Sequence, residues 1–227
     1  MSVFDTIVGG LGNDTLYAVL TGTALPALTS VTGIETANLS TTGAGIVADF
    51  TGWTGLTALT IQNTDTAAVT VTITAAATTT TSVVALSTGD LTITGGKNVI
   101  VSDTSANDML ITGATGSVTV TAGAEVTDIL TINSSGSLLT TVNVLDAGIV
   151  AIGDGLTALT NVAANVVDDA VTDTLTTVSI AGNLGVSTIN SDALTSLTLA
   201  DSGQNSTVTA AVGTRVLYPS GRTRQYK

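Results

Sequence analysis

Leu91-Thr92-Ile93-Thr94, Val118-Thr119-Val120-Thr121 and Leu197-Thr198-Leu199 carry the pattern that decides the fold. In each, an apolar Leu, Ile or Val alternates with Thr, the period-two signature of a strand with one buried face. Similar short runs recur from Leu56 to about Val212, among them Leu56–Ile61, Val69–Ile73, Val99–Val101, Ile129–Ile132, Val142–Leu145, Ile149–Ile152, Leu156–Leu159 and Val186–Ile189. They begin roughly every 8 to 14 residues and are separated by Gly, Asn, Asp and Ser, which adopt the turn conformations other residues resist. Many short strands at near-even spacing predict an all-β chain.

Two all-β architectures compete. No aromatic residue occurs between Trp53 and Tyr218, so the core of this stretch has to be built from Val, Ile, Leu, Ala and Thr. An immunoglobulin-like sandwich fills a wide two-sheet core with Trp and Tyr. A parallel β-solenoid (β-helix) of short Thr/Val/Ile-rich strands stacks similar small residues from coil to coil and needs neither. The solenoid is the expectation, with the β-sandwich as its alternative.

Composition narrows the chemistry. With 227 residues the chain is long enough for a sizeable core. It has no Cys and no His, and its only glutamates are Glu35 and Glu125. Without Cys there are no disulfides or thiolate metal sites, so any bound metal is a hard cation held by oxygen. Without His, the commonest general base and every Ser-His-Asp or Cys-His arrangement are missing. The expectation is a non-catalytic protein, with no catalytic residue assigned.

Charge is lopsided. Residues 1–212 carry all seventeen acids and only Lys97, a net charge of 1 − 17 = −16, whereas residues 213–227 add Arg215, Arg222, Arg224 and Lys227 with no acid, a net +4. An acidic body repels nucleic acid and anionic membrane, so neither is an expected partner. It also keeps a Thr-rich, weakly charged surface soluble. No apolar run approaches the ~18 residues that span a bilayer. Met1-Ser2-Val3-Phe4-Asp5 lacks a basic segment followed by an apolar one, so no ordinary secretory signal is expected.

Near the start, Gly9-Gly10-Leu11-Gly12-Asn13-Asp14-Thr15-Leu16-Tyr17 fits every fixed position of the calcium-binding nonapeptide GGxGxDxUx, where U is a large apolar residue. Glycines let the backbone turn tightly and aim carbonyls inward, the Asp adds a carboxylate, and the apolar residue begins a short strand. Asp5-Thr6-Ile7 echoes Asp14-Thr15-Leu16 one nine-residue period earlier (14 − 5 = 9). The segment resembles the RTX, or hemolysin-type calcium-binding, repeats of proteins exported by type I secretion. The resemblance implies a calcium ion held by Asp14, by the carbonyl region of Gly10 and Gly12, and by Asp5. It departs from the family in having one complete copy plus the tail of another.

Val31-Thr32-Gly33-Ile34-Glu35-Thr36-Ala37-Asn38-Leu39-Ser40, followed by Asp49-Phe50-Thr51-Gly52-Trp53-Thr54-Gly55-Leu56-Thr57-Ala58-Leu59, is similar to a strand pairing of bacterial S-layer and other large RTX-bearing surface proteins. Phe50 and Trp53, with Phe4 and Tyr17, are the aromatics before the tail; they read as a cap closing one end of the stack, or as a sugar-stacking platform.

Thr is the commonest residue, about a fifth of the chain and well above background. The run Thr78-Thr79-Thr80-Thr81 reads as an exposed edge or corner. Two acidic clusters, Asp103 with Asn107 and Asp108, and Asp168 with Asp169 and Asp173, read as solvated turns, surface calcium sites, or the acid and base of a carbohydrate-active β-helix enzyme.

Three regions follow: residues 1–55 with the RTX-like turn and aromatics, a solenoid body over 56–212, and a basic tail over 213–227, whose charge suits head-to-tail contact with the acidic body of a second copy. The tail departs from the acidic, apolar end usual in type I secreted proteins. The resemblance and the charge together imply an extracellular, calcium-responsive structural protein of a bacterial cell surface. Its expected partners are further copies of itself and cell-surface polysaccharide; a glycan-binding adhesin or phage-fibre-like module is the alternative.

Overall fold

The computed structural model describes residues 6–25, 30–42, 45–64, 68–85, 89–103, 108–123, 128–153, 156–157, 165–166, 173–200, 206–210 and 215–217. Among them there is no helix. In chain order the strands are β1 (Thr6–Val8), β2 (Thr15–Leu20), β3 (Ser30–Thr32), β4 (Thr36–Thr41), β5 (Ile46–Asp49), β6 (Ala58–Asn63), β7 (Val71–Ala75), β8 (Thr80–Ala85), β9 (Leu91–Gly95), β10 (Asn98–Asp103) and β11 (Met109–Thr112). Then come β12 (Ser117–Ala122), β13 (Ile129–Asn133), β14 (Thr141–Leu145), β15 (Ile149–Gly153), β16 (Leu156–Thr157), β17 (Asn165–Val166), β18 (Thr177–Ala181), β19 (Ser187–Ser191), β20 (Ser196–Ala200), β21 (Ser206–Ala210) and β22 (Arg215–Leu217).

The chain is a parallel β-solenoid. One sheet has ten strands in the order β2-β4-β6-β8-β10-β12-β14-β18-β20-β22, and the other has eight, β21-β19-β15-β13-β11-β9-β7-β5. Chain neighbours therefore alternate between sheets, and each strand pairs in parallel with the one a full coil away. A sandwich of antiparallel hairpins is excluded by that connectivity. Coils advance by 18 residues (Thr81 to Val99, 99 − 81) up to 25 (Ile46 to Val71, 71 − 46). The exception is one long coil, Thr141 to Thr177 in one sheet (177 − 141 = 36) and Val150 to Ser187 in the other (187 − 150 = 37), which takes in β16 and β17, an antiparallel pair outside both large sheets.

The core is a set of columns rather than a cluster. Ile73, Ile93, Ile111, Ile132, Ile152 and Ile189 stand in register through six strands of the eight-stranded sheet, all buried. Facing them, Leu39, Ile61, Val83, Val101, Val120, Val144, Ile180 and Leu199 form the matching column of the ten-stranded sheet. Each such side chain contributes about 1.5–3 kcal/mol by leaving water. A stack of like residues needs no aromatic because every coil presents the same gap to the next.

Corners are built by a Leu-Thr pair. Leu56, Leu139, Leu175 and Leu194 are buried inside, and the Thr that follows each one caps the coil before it. Thr57 Oγ donates to Glu35 O at 3.1 Å, Thr140 to Gly116 O at 3.0 Å, Thr176 to Thr140 O at 3.2 Å and Thr195 to Thr176 O at 3.1 Å. Thr is used here because one residue supplies both a strand-compatible branched body and a donor for the neighbouring carbonyl.

The Thr78–Thr81 run departs from its expectation. Thr78 lies in an exposed turn, but Thr79 and Thr81 are fully buried, and β8 pairs on both sides with β6 and β10. Thr79 Oγ1 finds Leu56 O at 2.9 Å, which lets a hydroxyl be buried at low cost.

The first coils are wider than the rest. There β1 and β3 form a two-stranded parallel third side, extended by a bridge from Thr32 to Thr54. Phe50 and Trp53 fill the extra cross-section, packed edge to face with ring centroids 5.0 Å apart at 80°. Trp53 is only 5 % exposed, so it belongs to the interior and offers no ring to a sugar. Tyr17 does not join them: it is 76 % exposed on the outer face of β2. Phe4 lies outside the described residues.

Candidate metal site in the first coils

The nonapeptide forms the corner between β1 and β2. Gly9 donates its N–H to Thr32 O at 3.0 Å, and a Cβ on Gly9 would fall 1.8 Å from Gly33 O, so the backbones of the first two coils meet here without room for a side chain. Gly10 and Gly12 follow with φ of +109° and +118°. Their constraint is of a different kind, since the space where a Cβ would point is open at both. The backbone conformation, not packing, demands glycine.

Asp14 closes the turn. Its carbonyl accepts from the N–H groups of Glu35 at 3.2 Å and Thr36 at 3.1 Å. Its own N–H donates to Glu35 Oε2 at 2.8 Å. The Asp14 carboxylate therefore shares a corner with the Glu35 carboxylate of the next coil. Asp14 Oδ2 is buried and has no hydrogen-bond partner. Leaving such an oxygen desolvated and unpaired is costly, and a hard cation would offset that cost. The residues fit calcium to this extent: an orphaned carboxylate oxygen, a second carboxylate on the adjoining coil, and a glycine turn with open space where Gly10 and Gly12 would carry side chains. When bound, the ion would supply only charge neutralisation and a cross-link between the first two coils.

Of the expected ligands, Gly10, Gly12 and Asp14 lie on one turn, and Asp5 lies outside the described residues. Glu35 was not among them. The signal that could have found it is the coil length, because a 21-residue advance sets Glu35 directly beside Asp14. Among the described residues no three acids gather as a ready-made metal cage.

The other acidic clusters resolve into coil-to-coil turns where they are described. Asp108 Oδ1 accepts from Ile129 N at 2.9 Å, one coil on. Asp103 ends β10, and Asn107, Asp168 and Asp169 lie outside the described residues. Asp173 is met by Asp192, a residue that sequence reading had not linked to it: Asp192 N donates to Asp173 Oδ2 at 2.9 Å and Asp173 N to Asp192 Oδ1 at 3.3 Å. Each carboxylate accepts the other's backbone N–H, a reciprocal corner between adjacent coils.

Comparison with protein-family models, with curated proteins and with solved structures found no match to this chain.

Proposed function

We propose that this chain is a non-catalytic structural protein of a bacterial cell exterior, built to assemble with copies of itself and tightened by calcium at its first coil. The observation that carries this reading is the state of that coil. β2 is an edge strand of the ten-stranded sheet, so a row of backbone donors and acceptors faces outward along it. Ile7, Leu16 and Ala18 pack on the core yet are only partly buried, and Val8, Leu11, Tyr17 and Val19 are exposed. A solenoid end with open ladder groups and half-covered apolar side chains is a template for further stacking. Among the described residues β22 is the strand at the other end of the same parallel sheet, so a second copy placed there continues the ladder in the same direction.

Oxygen-only ligands, the buried unpaired Asp14 carboxylate oxygen and the likeness of Gly9–Tyr17 to RTX repeats support the calcium part. The test is negative-stain electron microscopy with and without millimolar calcium. Filaments or sheets that dissolve with chelator support the reading; isolated particles at high concentration in both conditions defeat it. The burial of Trp53 weighs against a glycan platform at that residue, though not against polysaccharide contact elsewhere.

A further inference from the structure

The outer face of the ten-stranded sheet has an unusual composition. In its nine strands from β2 to β20, the side chains alternating with the buried columns are Thr, Ser, Asn, Gln and Ala, joined by Tyr17, Val19, Val84, Ile100 and Leu145. No Asp, Glu, Lys or Arg is among them. Every described acid lies outside the strands or at the last position of one, as Asp146 and Asp192 do in turns and Asp49 does at the end of β5. A chain with a formal charge of −12 thus keeps these nine strands of the face without a charge, and the first charged residue in register with their outward positions is Arg215 of β22, beside Ser196. Tyr17, Val19, Ile100 and Leu145 are large apolar side chains exposed on it, at 76, 60, 44 and 43 %.

We propose that this face is where two copies of the chain pack against each other, sheet to sheet; the proposal rests on the self-assembly reading and names the surface used sideways rather than end to end. Electrostatics selects the occupant. Two copies meeting through their turns would bring carboxylates together and strip them of water, whereas this face brings together hydroxyls, amides and methyls that can pair or pack. Nine strands at 4.8 Å span about 43 Å, and five to six residues of strand give about 17 Å, so the face offers on the order of 700 Å². That is close to the roughly 800 Å² each partner buries in a stable interface. Sheets packed face to face lie about 10 Å apart, comparable to the Debye length of about 8 Å at 0.15 M salt, so repulsion between the flanking acids of two copies is weakened at that ionic strength. A face meeting its own equivalent is self-complementary about a two-fold axis.

The chain has no cysteine, so a single introduced thiol reports contact without background. Ile100→Cys places it mid-face, on β10, the fifth of the nine strands, and Leu138→Cys places it in an exposed connection between β13 and β14 as control. Under mild oxidation I100C is expected to give a cross-linked dimer and L138C to remain monomeric. Sedimentation velocity of the unmodified chain should show association that strengthens from low salt to 0.15 M, because screening relieves repulsion between acidic copies. Thr121→Asp with Asn143→Asp should weaken it by about tenfold or more. Assemblies that survive the double Asp change, with I100C cross-linking no better than L138C, would overturn this face while leaving self-assembly standing. A chain monomeric at every concentration and salt overturns both. Association weakened by salt points to the basic tail docking on the acidic body and also overturns the face. So does a polysaccharide bound at Thr121 and Asn143 by a chain that stays monomeric.

Discussion

Glu35 Oε2 accepts the backbone N–H of Asp14 across one coil at 2.8 Å, while Asp14 Oδ2 beside it is buried without a partner. One carboxylate is thus committed to holding the first coil on the second, and the other is left available. Calcium at about ten times its dissociation constant should raise stability by about 1.4 kcal/mol. Asp14→Asn should abolish that calcium-dependent rise in melting temperature. An equal rise in the variant would remove Asp14 from any calcium site.

The two kinds of glycine in this turn should separate under mutation. Gly10→Ala meets open space and suffers only the backbone penalty of a positive φ, on the order of 1–2 kcal/mol. Gly9→Ala drives a methyl into Gly33 O and should detach β1 from β3. Hydrogen exchange read at Ile7 and Val31 tests this: fast exchange in G9A and near-native protection in G10A is the expected result.

Thr81 occupies an apolar column between Leu59 and Val99, with 0 % exposure and no partner for its hydroxyl. Thr81→Val keeps the shape and removes a desolvated, unpaired oxygen. It should stabilise the protein by about 1–3 kcal/mol in urea unfolding. Destabilisation would show that the hydroxyl is satisfied in solution.

The long step between coils should be dispensable. Gly153 lies beside Asn190, and β19 runs through Ser191 into Asp192, the start of the next corner. Excising residues 155–172 leaves Asp154 as the one residue between Gly153 and Asp173, the same count as Ser191 between Asn190 and Asp192. Because β14 already pairs directly with β18, the shortened chain should retain its sheet circular dichroism and cooperative unfolding. A molten or insoluble product would assign residues 155–172 a role in holding the coils together.

Much of this architecture was legible in the chain. The alternation in Leu91–Thr94 and Val118–Thr121 gives buried Leu91, Ile93, Val118 and Val120, because a period of two has only one way to meet a single core. The absence of aromatics pointed to stacked columns for the same reason. Two of the corners were legible too, though harder to see: Asp173-Thr174-Leu175-Thr176 and Asp192-Ala193-Leu194-Thr195 recur at an interval of 19 (192 − 173). Less accessible were the partners across coils. The Asp14–Glu35 and Asp173–Asp192 contacts join residues 21 and 19 apart, and which residue faces which depends on the length of every coil between.

A repeated hexapeptide marks the division between the two sources of information. Gly-Leu-Thr-Ala-Leu-Thr occurs at 55–60 and again at 155–160. In the first copy Leu56 is a buried corner, Thr57 caps Glu35 and Ala58 opens β6 in the ten-stranded sheet. In the second, Leu156 and Thr157 pair antiparallel with Asn165 and Val166, away from that sheet. The residues themselves determined strand, face and corner propensity, which are local and set by side-chain shape and spacing. Membership of the ladder was decided by tertiary structure, because parallel pairing has its partners a whole coil away and their backbone groups either are or are not there to receive the strand.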